Sequence, residues 1–472
     1  MAYKYQELAE VLRAQMRAGR LSAGQRLPSI RLLSQLHAVS ITTALKAYEM
    51  LEAEGYLRVE PQSGFYARAR AEGLSAPTLP SFPQRVTSVD NVSLMHEVEL
   101  SANQPERIAF GTAQLAPQLL PLAALQRSLI RMTRRYPAAL ATYARARGEP
   151  ALCDALCRHF AQDGIHVQSQ DLLISNGCMA ALSLALQVVS QVGDSIAVPS
   201  PSYSGQLQLL ASLGRKVIEI PSSADGFDLD ALEQCMASGH SRACLISANF
   251  QNPLGYCLKP EDKQRLAAMA ARYQCPIVED DVFGECAYAA ERPLPLKSWD
   301  QAGYVLWCGS FSKTLAPGFR VGWCAAGRYH EALSALQRAQ CMAVNTPLQL
   351  TLADFVHSGE YRRHLKRLRL ALASQVDLMF RAIGHYFPSN CGVTRPQGGY
   401  VLWLQLPDHC DGTDLYQAAR LQGINIVPGA VFSTRDLYRH AVRLNAGNPW
   451  SATLEQALRQ LSALIIESGA EF

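Results

Sequence analysis

Apolar positions Leu8, Val11, Leu12 and Met16 recur at helical spacing along residues 5–16, and Gly19 and Gly24 close the run, so the pattern predicts an opening amphipathic helix. A short second helix is predicted at 30–36, with Ser29 as its N-cap and Leu32, Leu33 and Leu36 on its inner face. A tight turn at 37–40 leads into a third helix at 41–54, capped by Ser40. Its Ala44, Ala47, Tyr48 and Leu51 stripe faces inward and leaves Thr42, Thr43 and Lys46 outward. Two short helices joined so closely form a helix-turn-helix, whose second helix enters a major groove. Alternating segments 56–59 and 65–67 flank the polar turn 60–64, where Gly64 supplies positive φ, and predict a hairpin wing.

From 71 to about 106 the period is lost among Pro77, Pro80, Pro83 and Pro105, which reads as an interdomain tether. Beyond residue 108, short continuous apolar strands at 171–174, 195–198, 216–220, 244–247, 277–279 and 305–307 alternate with helical patterns such as 179–191 and 260–273. Such alternation predicts a mostly parallel sheet covered on both faces, with ligands gathered at the carboxyl ends of its strands.

Composition refines this α/β picture. Of 472 residues, 49% are hydrophobic and 18% charged, the balance of a well-buried globule of two or more domains. No window is apolar for long enough to span a bilayer, and the N-terminus lacks an apolar run, which predicts a cytoplasmic protein without membrane attachment. The 13 cysteines include no Cys-x-x-Cys pair, so neither a disulfide framework nor a structural metal site is indicated. Residues 1–70 hold ten Lys/Arg against six Glu, while the remainder balances 34 against 34. A positive excess confined to the helix-turn-helix suits a nucleic-acid-binding module.

Three segments of this region, Arg26-Leu27-Pro28-Ser29-Ile30-Arg31, the 47–57 run from Ala47 through Gly55 to Leu57, and Gln62-Ser63-Gly64-Phe65-Tyr66, resemble the winged-helix domain of GntR-type regulators. The resemblance implies that Arg26, Arg31, Thr42, Thr43, Lys46, Ser63 and Gly64 contact double-stranded DNA. Arginine and lysine would meet phosphates and the threonines base edges. Ile41 departs from the family, which commonly has an arginine there.

The chemistry concentrates in Ser310-Phe311-Ser312-Lys313-Thr314 and Arg320, where one lysine stands among hydroxyls with an arginine seven residues on. A partly desolvated lysine is a Schiff-base nucleophile, and an arginine with serines grips a phosphate. Gly177-Cys178-Met179 opens a helix after a strand and offers backbone N–H groups to the same phosphate. Tyr203 lies just past another strand, Asn252 sits in a proline-stiffened turn, and Glu279-Asp280-Asp281 ends a strand in carboxylates, one of which can hold a pyridine nitrogen protonated. In this order the motifs resemble fold-type I pyridoxal-phosphate enzymes of the class I aminotransferase superfamily, over residues 108–472, with a small α+β subdomain from about 355.

That resemblance implies pyridoxal 5'-phosphate held by Lys313, with Arg320, Ser310, Ser312, Gly177, Cys178 and Met179 on its phosphate. It implies Asp280 on its ring nitrogen, Asn252 on its 3′ oxygen and Tyr203 stacked on its ring. It further implies Lys313 and Asp280 as the catalytic pair, Arg443 and Asn252 as substrate-binding residues, with Arg443 taking the carboxylate, and Tyr143 as reaching a neighbouring subunit's phosphate. Val282 or Phe283 stands where relatives usually have a tyrosine, which puts sustained transamination in question. A winged helix (1–70), a linker (71–107) and an aminotransferase-like domain (108–472) together resemble the MocR family of transcriptional regulators. This implies a homodimer, head-to-tail, that binds a DNA operator and senses a small amine, an amino acid or the cofactor itself through aldimine formation. The alternative is a working aminotransferase with an appended DNA module.

Overall fold

The computed structural model describes residues 4–17, 21, 25–53, 56–60, 64–67, 74–102 and 107–468. The N-terminal unit follows its hydrophobic pattern. Helices Lys4–Arg17, Ile30–Leu36 and Ile41–Ala53 are followed by antiparallel strands Leu57–Glu60 and Gly64–Ala67. Leu8, Leu12, Leu33, Ala44, Ala47, Tyr48 and Leu51 form their own core. Tyr48 closes it by donating its hydroxyl to Pro28 O at 2.8 Å while its ring meets Phe65 at 4.5 Å. The Ser29 hydroxyl accepts from Leu32 N–H at 3.3 Å, the expected N-cap. The expected inner face of this helix needs correction, because only Leu33 is buried; Leu32 and Leu36 are 46% and 64% exposed. Four residues apart, they share one face of a seven-residue helix, and that face is turned to solvent.

The segment read as a linker is ordered over 74–102 and packs on the large domain as a strap. Ser75 O accepts from Val393 N–H at 2.9 Å, and Val86–Thr87 adds an antiparallel edge strand to Lys216–Ser223. Asn91 Nδ2 donates to Ala430 O and Ser433 O at 2.9 and 3.0 Å. Helix Val92–Ala102 then buries Met95 and Val98 in the main core. Two buried apolar positions one turn apart, followed by the buried Ser101, give too little apolar periodicity to reveal the helix among the prolines and polar residues that precede it.

The large domain is built on a sheet of order Val86–Thr87, Lys216–Ser223, Ser195–Ser200, Ala243–Ile246, Ile277–Asp280, Val305–Ser310, Gly322–Ala325, Leu172–Ser175. The strands from Lys216–Ser223 through Val305–Ser310 pair in parallel; Gly322–Ala325 is antiparallel to both its neighbours. Helices such as Cys178–Val189 and Pro260–Tyr273 connect them. The middle strands are buried along their whole length, so both faces are covered. The sheet is thus mostly parallel, and the carboxyl ends of its parallel strands point to one edge, where the motifs collect. Helix Glu360–Tyr386 runs from behind the Lys313 loop into a second layer. There an antiparallel sheet of Gly392–Val393, Val401–Gln405, Ala441–Asn445 and Val427–Pro428 packs with helices Gly412–Leu421 and Ala452–Glu467. All 13 cysteines are free thiols, and no described helix is long and apolar enough to cross a membrane.

Candidate functional site

Asp280 ends its strand almost fully buried. Its Oδ2 accepts from Gln206 Nε2 at 2.7 Å, and its Oδ1 accepts from Val282 N–H at 3.1 Å and Cys178 Sγ at 3.5 Å. Burial pushes its pKa above the ordinary carboxylate value despite those three donors, so a cationic partner opposite it would be strongly stabilised.

Lys313 follows the strand Val305–Ser310. Its Nζ donates to Ala113 O at 2.6 Å and lies 5.7 Å from the Phe283 ring centroid. Burial lowers its ammonium pKa to about 8, and the nearby Arg443 guanidinium adds to the fall. A substantial fraction is therefore neutral amine near physiological pH, the form that attacks a carbonyl. Phe283, of the two residues in question, turns its ring toward Lys313, while Val282 only lines the cavity wall.

Arg320 adopts a left-handed backbone at φ 51° and donates through Nη1 to Ser312 Oγ at 3.4 Å, and Ser310 Oγ accepts from Ser312 N–H at 3.2 Å. Gly177 has φ 86° and a Cβ there would come 2.7 Å from Arg320 Nη2, so only glycine lets the helix start and the guanidinium close on one point. Gly205 serves a similar end, since its Cβ would stand 2.6 Å from the Tyr203 ring. Burial raises the Tyr203 pKa, which keeps the phenol neutral.

These groups enclose a cavity of about 240 Å³. Asp280 stands on its wall with Lys313, and Ser310, Ser312, Arg320 and Cys178 complete it together with Tyr203 and Asn252. A second cavity of about 450 Å³ shares Lys313, Tyr203 and Met179 and adds Arg443, with Met95 and Glu99 from the strap. Arg443 is buried. Its Nη1 donates to Asn252 Oδ1 at 3.3 Å and its Nη2 to Gly111 O, and its Nε has no partner. Burial lowers its pKa to about 10. An arginine held so, with one N–H unsatisfied, is poised for an anionic ligand group.

The structure thus brings Lys313, Asp280, Asn252, Tyr203, Ser310, Ser312, Arg320, Cys178 and Met179 to one cavity, with Gly177 against Arg320 and Arg443 next door. The Cys178 thiol turns to Asp280 rather than toward the serines. Tyr143 stands apart, 85% exposed. Gln206 and the carbonyls of Gly111 and Ala113 were not legible from the sequence, since no motif marks a helix glutamine or a backbone oxygen. In the winged helix, Arg26, Arg31, Thr42 and Lys46 are exposed, and Gly64 has φ 115°. Thr43 is half-buried and engaged at the helix start, its hydroxyl 2.8 Å from Ser40 Oγ. Ser63 lies outside the described residues.

The description "Aminotransferase class I and II" matches residues 118–461, and "Bacterial regulatory proteins, gntR family" matches 4–67. The chain belongs to the MocR-type regulators, a gntR-family domain fused to an aminotransferase domain. An uncharacterized HTH-type transcriptional regulator of Escherichia coli, YdcR, is 36% identical over 98% of this chain and 99% of its own. The probable rhizopine catabolism regulatory protein MocR of Rhizobium meliloti is 29% identical over 90% of this chain and 86% of its own. Among solved structures, a multiple substrate aminotransferase from Thermococcus profundus superposes with TM-score 0.74 at 25% identity, covering 80% of this chain and 96% of that one. As in that fold, the cofactor is pyridoxal phosphate. The cavity fits it: a lysine, a buried carboxylate with no ion-pair partner among the described residues, and a glycine-arginine-serine cradle are the donor set that an aldehyde, a ring nitrogen and a phosphate require.

Proposed function

We propose that this regulator couples DNA binding to the capture of a small amine or amino acid at Lys313. The observation that carries the reading is the pair of adjoining cavities, one fitted to the cofactor and one opening on Arg443, which share Lys313. When bound, pyridoxal phosphate supplies an electrophilic carbon and an electron sink. Around it, Lys313 holds or releases a proton at Nζ, Asp280 keeps the ring nitrogen protonated, and Arg320 with Ser310, Ser312 and the N–H groups of Gly177, Cys178 and Met179 anchors the phosphate. Tyr203 stacks, Asn252 donates to the 3′ oxygen, and Arg443 orients a ligand carboxylate. On the DNA side, Arg26, Arg31 and Lys46 meet phosphates beside the wing at Ser63 and Gly64, and Thr42 reads base edges with Thr43.

The reading includes a homodimer, head-to-tail, working in the cytoplasm on a two-half-site operator. In support, Tyr143 is 85% exposed and does not line its own chain's cofactor cavity, and Leu122, Tyr136 and Leu140 of the same stretch are also exposed. A regulator of this kind needs a ligand that favours one conformation by ~1–3 kcal/mol. A second reading, a working aminotransferase, is favoured by the complete set of Lys313, Asp280 and Arg443. The deciding experiment follows the visible absorption of the cofactor-loaded protein through an amine and amino-acid panel, then operator binding. A stable shifted band together with altered DNA affinity supports the sensor. Conversion to pyridoxamine phosphate, reversed by a keto acid, supports the enzyme, and no spectral response to any member sinks both.

A further inference from the structure

Away from Lys313, a cavity of about 420 Å³ opens at the start of helix Glu360–Tyr386, lined by Arg158, His159, His357, Arg362, Arg363 and Lys366 but by no carboxylate. Its cations are incompletely spent. Asp163 accepts from Arg362 at 3.2 Å and Glu360 from Arg363 at 2.7 Å, whereas Arg158 and Lys366 have no ion-pair partner among the described residues. Gly359 is the helix N-cap and lines the same hollow; it has no side chain to accept the first-turn N–H groups, and the one acidic residue of that turn, Glu360, is engaged by Arg363.

His159 lines the cavity from its inner side; it is 5% exposed and its Nε2 lies 3.1 Å from Glu285 Oε1. A metal is disfavoured there. His159, Asp163 and Glu285 bring ligand atoms within 4.8 Å, yet Glu285 already accepts from Arg292 Nη1 at 3.1 Å and Arg369 Nη2 at 2.9 Å, so an added cation would face two guanidiniums.

We propose that this cavity is a binding site for a small phosphorylated anion. Three guanidiniums and a lysine gathered at a helix start match a phosphate's several oxygens better than the two of a carboxylate, and the volume admits a diphosphate or a phosphate monoester as well as inorganic phosphate. The site is separate from the cofactor's phosphate, which belongs with Arg320.

The test is calorimetric titration of the full-length, cofactor-loaded protein with inorganic pyrophosphate and, separately, glycerol 3-phosphate, at fixed ionic strength. Saturable heat is expected, weakened at least tenfold by Arg158→Gln with Lys366→Gln and unchanged by Arg320→Gln. Stronger binding of one anion tells a diphosphate from a monoester site. Both substituted side chains are exposed, and an unaltered visible spectrum shows that the double variant is folded; Lys366→Glu alone provides a second, stronger perturbation. Heat that Arg320→Gln abolishes while the double variant retains it would locate the anion in the cofactor cavity and overturn the proposal. So would the absence of heat from both anions at millimolar concentration, whether or not non-specific duplex DNA binds the same face.

Discussion

The Lys313 ammonium faces the aromatic ring of Phe283, 5.7 Å from its centroid, where a tyrosine would present a hydroxyl. A ring face attracts a cation weakly but neither donates nor accepts a directional hydrogen bond, so nothing at this position shares a proton with the cofactor's 3′ oxygen or with Nζ. Phe283→Tyr is expected to shift the pH midpoint of the bound cofactor's visible band and to raise transamination about tenfold, the scale of one well-placed charge-assisted hydrogen bond. An unchanged midpoint would show that Phe283 does not set the proton balance of the site.

Arg443 lowers the Lys313 pKa, in addition to its proposed role at a ligand carboxylate. Burial and Arg443 together lower the lysine to about 8, so neutral amine accumulates as pH rises through that value, and cofactor loading of the apo protein should accelerate with it. In Arg443→Gln one of the two causes is gone, the lysine pKa rises, and loading at pH 7.5 is expected to slow roughly threefold, as for about half a pKa unit. Stopped-flow absorbance against pH measures this, and a midpoint that stays or falls contradicts it.

The same substitution separates ligand classes. Amino acids should lose about tenfold or more in affinity when the carboxylate partner is removed, while amines without a carboxylate keep theirs. Equal losses for both would show that Arg443 shapes the cavity rather than recognising a carboxylate.

On the DNA side, Lys46→Ala is expected to weaken operator and random duplex alike and to reduce the salt slope by about one, whereas Thr42→Ala should cost ~1–3 kcal/mol on the operator alone. Fluorescence anisotropy at several salt concentrations distinguishes the two. The cofactor spectrum should not move in either variant.

Met95→Ala tests the strap. Its side chain is buried in the main core and lines the ligand cavity, so truncation should destabilise by about 2–5 kcal/mol in chemical denaturation and alter the ligand's effect on DNA. Full stability would mean that the strap is docked only superficially.

Much of this was legible before the structure, because the chemistry depends on residues that follow strands directly. Lys313, Asp280 and Tyr203 each stand at or just past a strand's carboxyl end, where apolar runs betray the strand and the chemical residue interrupts it. Leu32 and Leu36 failed for the opposite reason: in two turns of helix an apolar residue has too few neighbours to define an inner face. The strap stayed hidden because Asn91, Thr87 and Ser75 hold it through polar groups and backbone, which leave no period. Antiparallel Gly322–Ala325 was concealed directly after the lysine motif, too close to Arg320 to stand out as a strand. The cationic cavity is assembled from residues some two hundred positions apart and has no local signature.

The strap also bears on where this protein can read DNA. Only residues 68–73 separate Ala67, at the end of the wing, from Leu74, at the beginning of the strap, and so few residues reach ~25 Å at most. Each reading head is consequently tethered to a fixed point on a folded surface. In the proposed homodimer, the phase between half-sites becomes a property of the protein: a half-turn insertion of ~5 base pairs would rotate one half-site out of reach, and a full turn would add ~34 Å, more than one such tether spans. A true operator should therefore be recognisable by its spacing as much as by its bases.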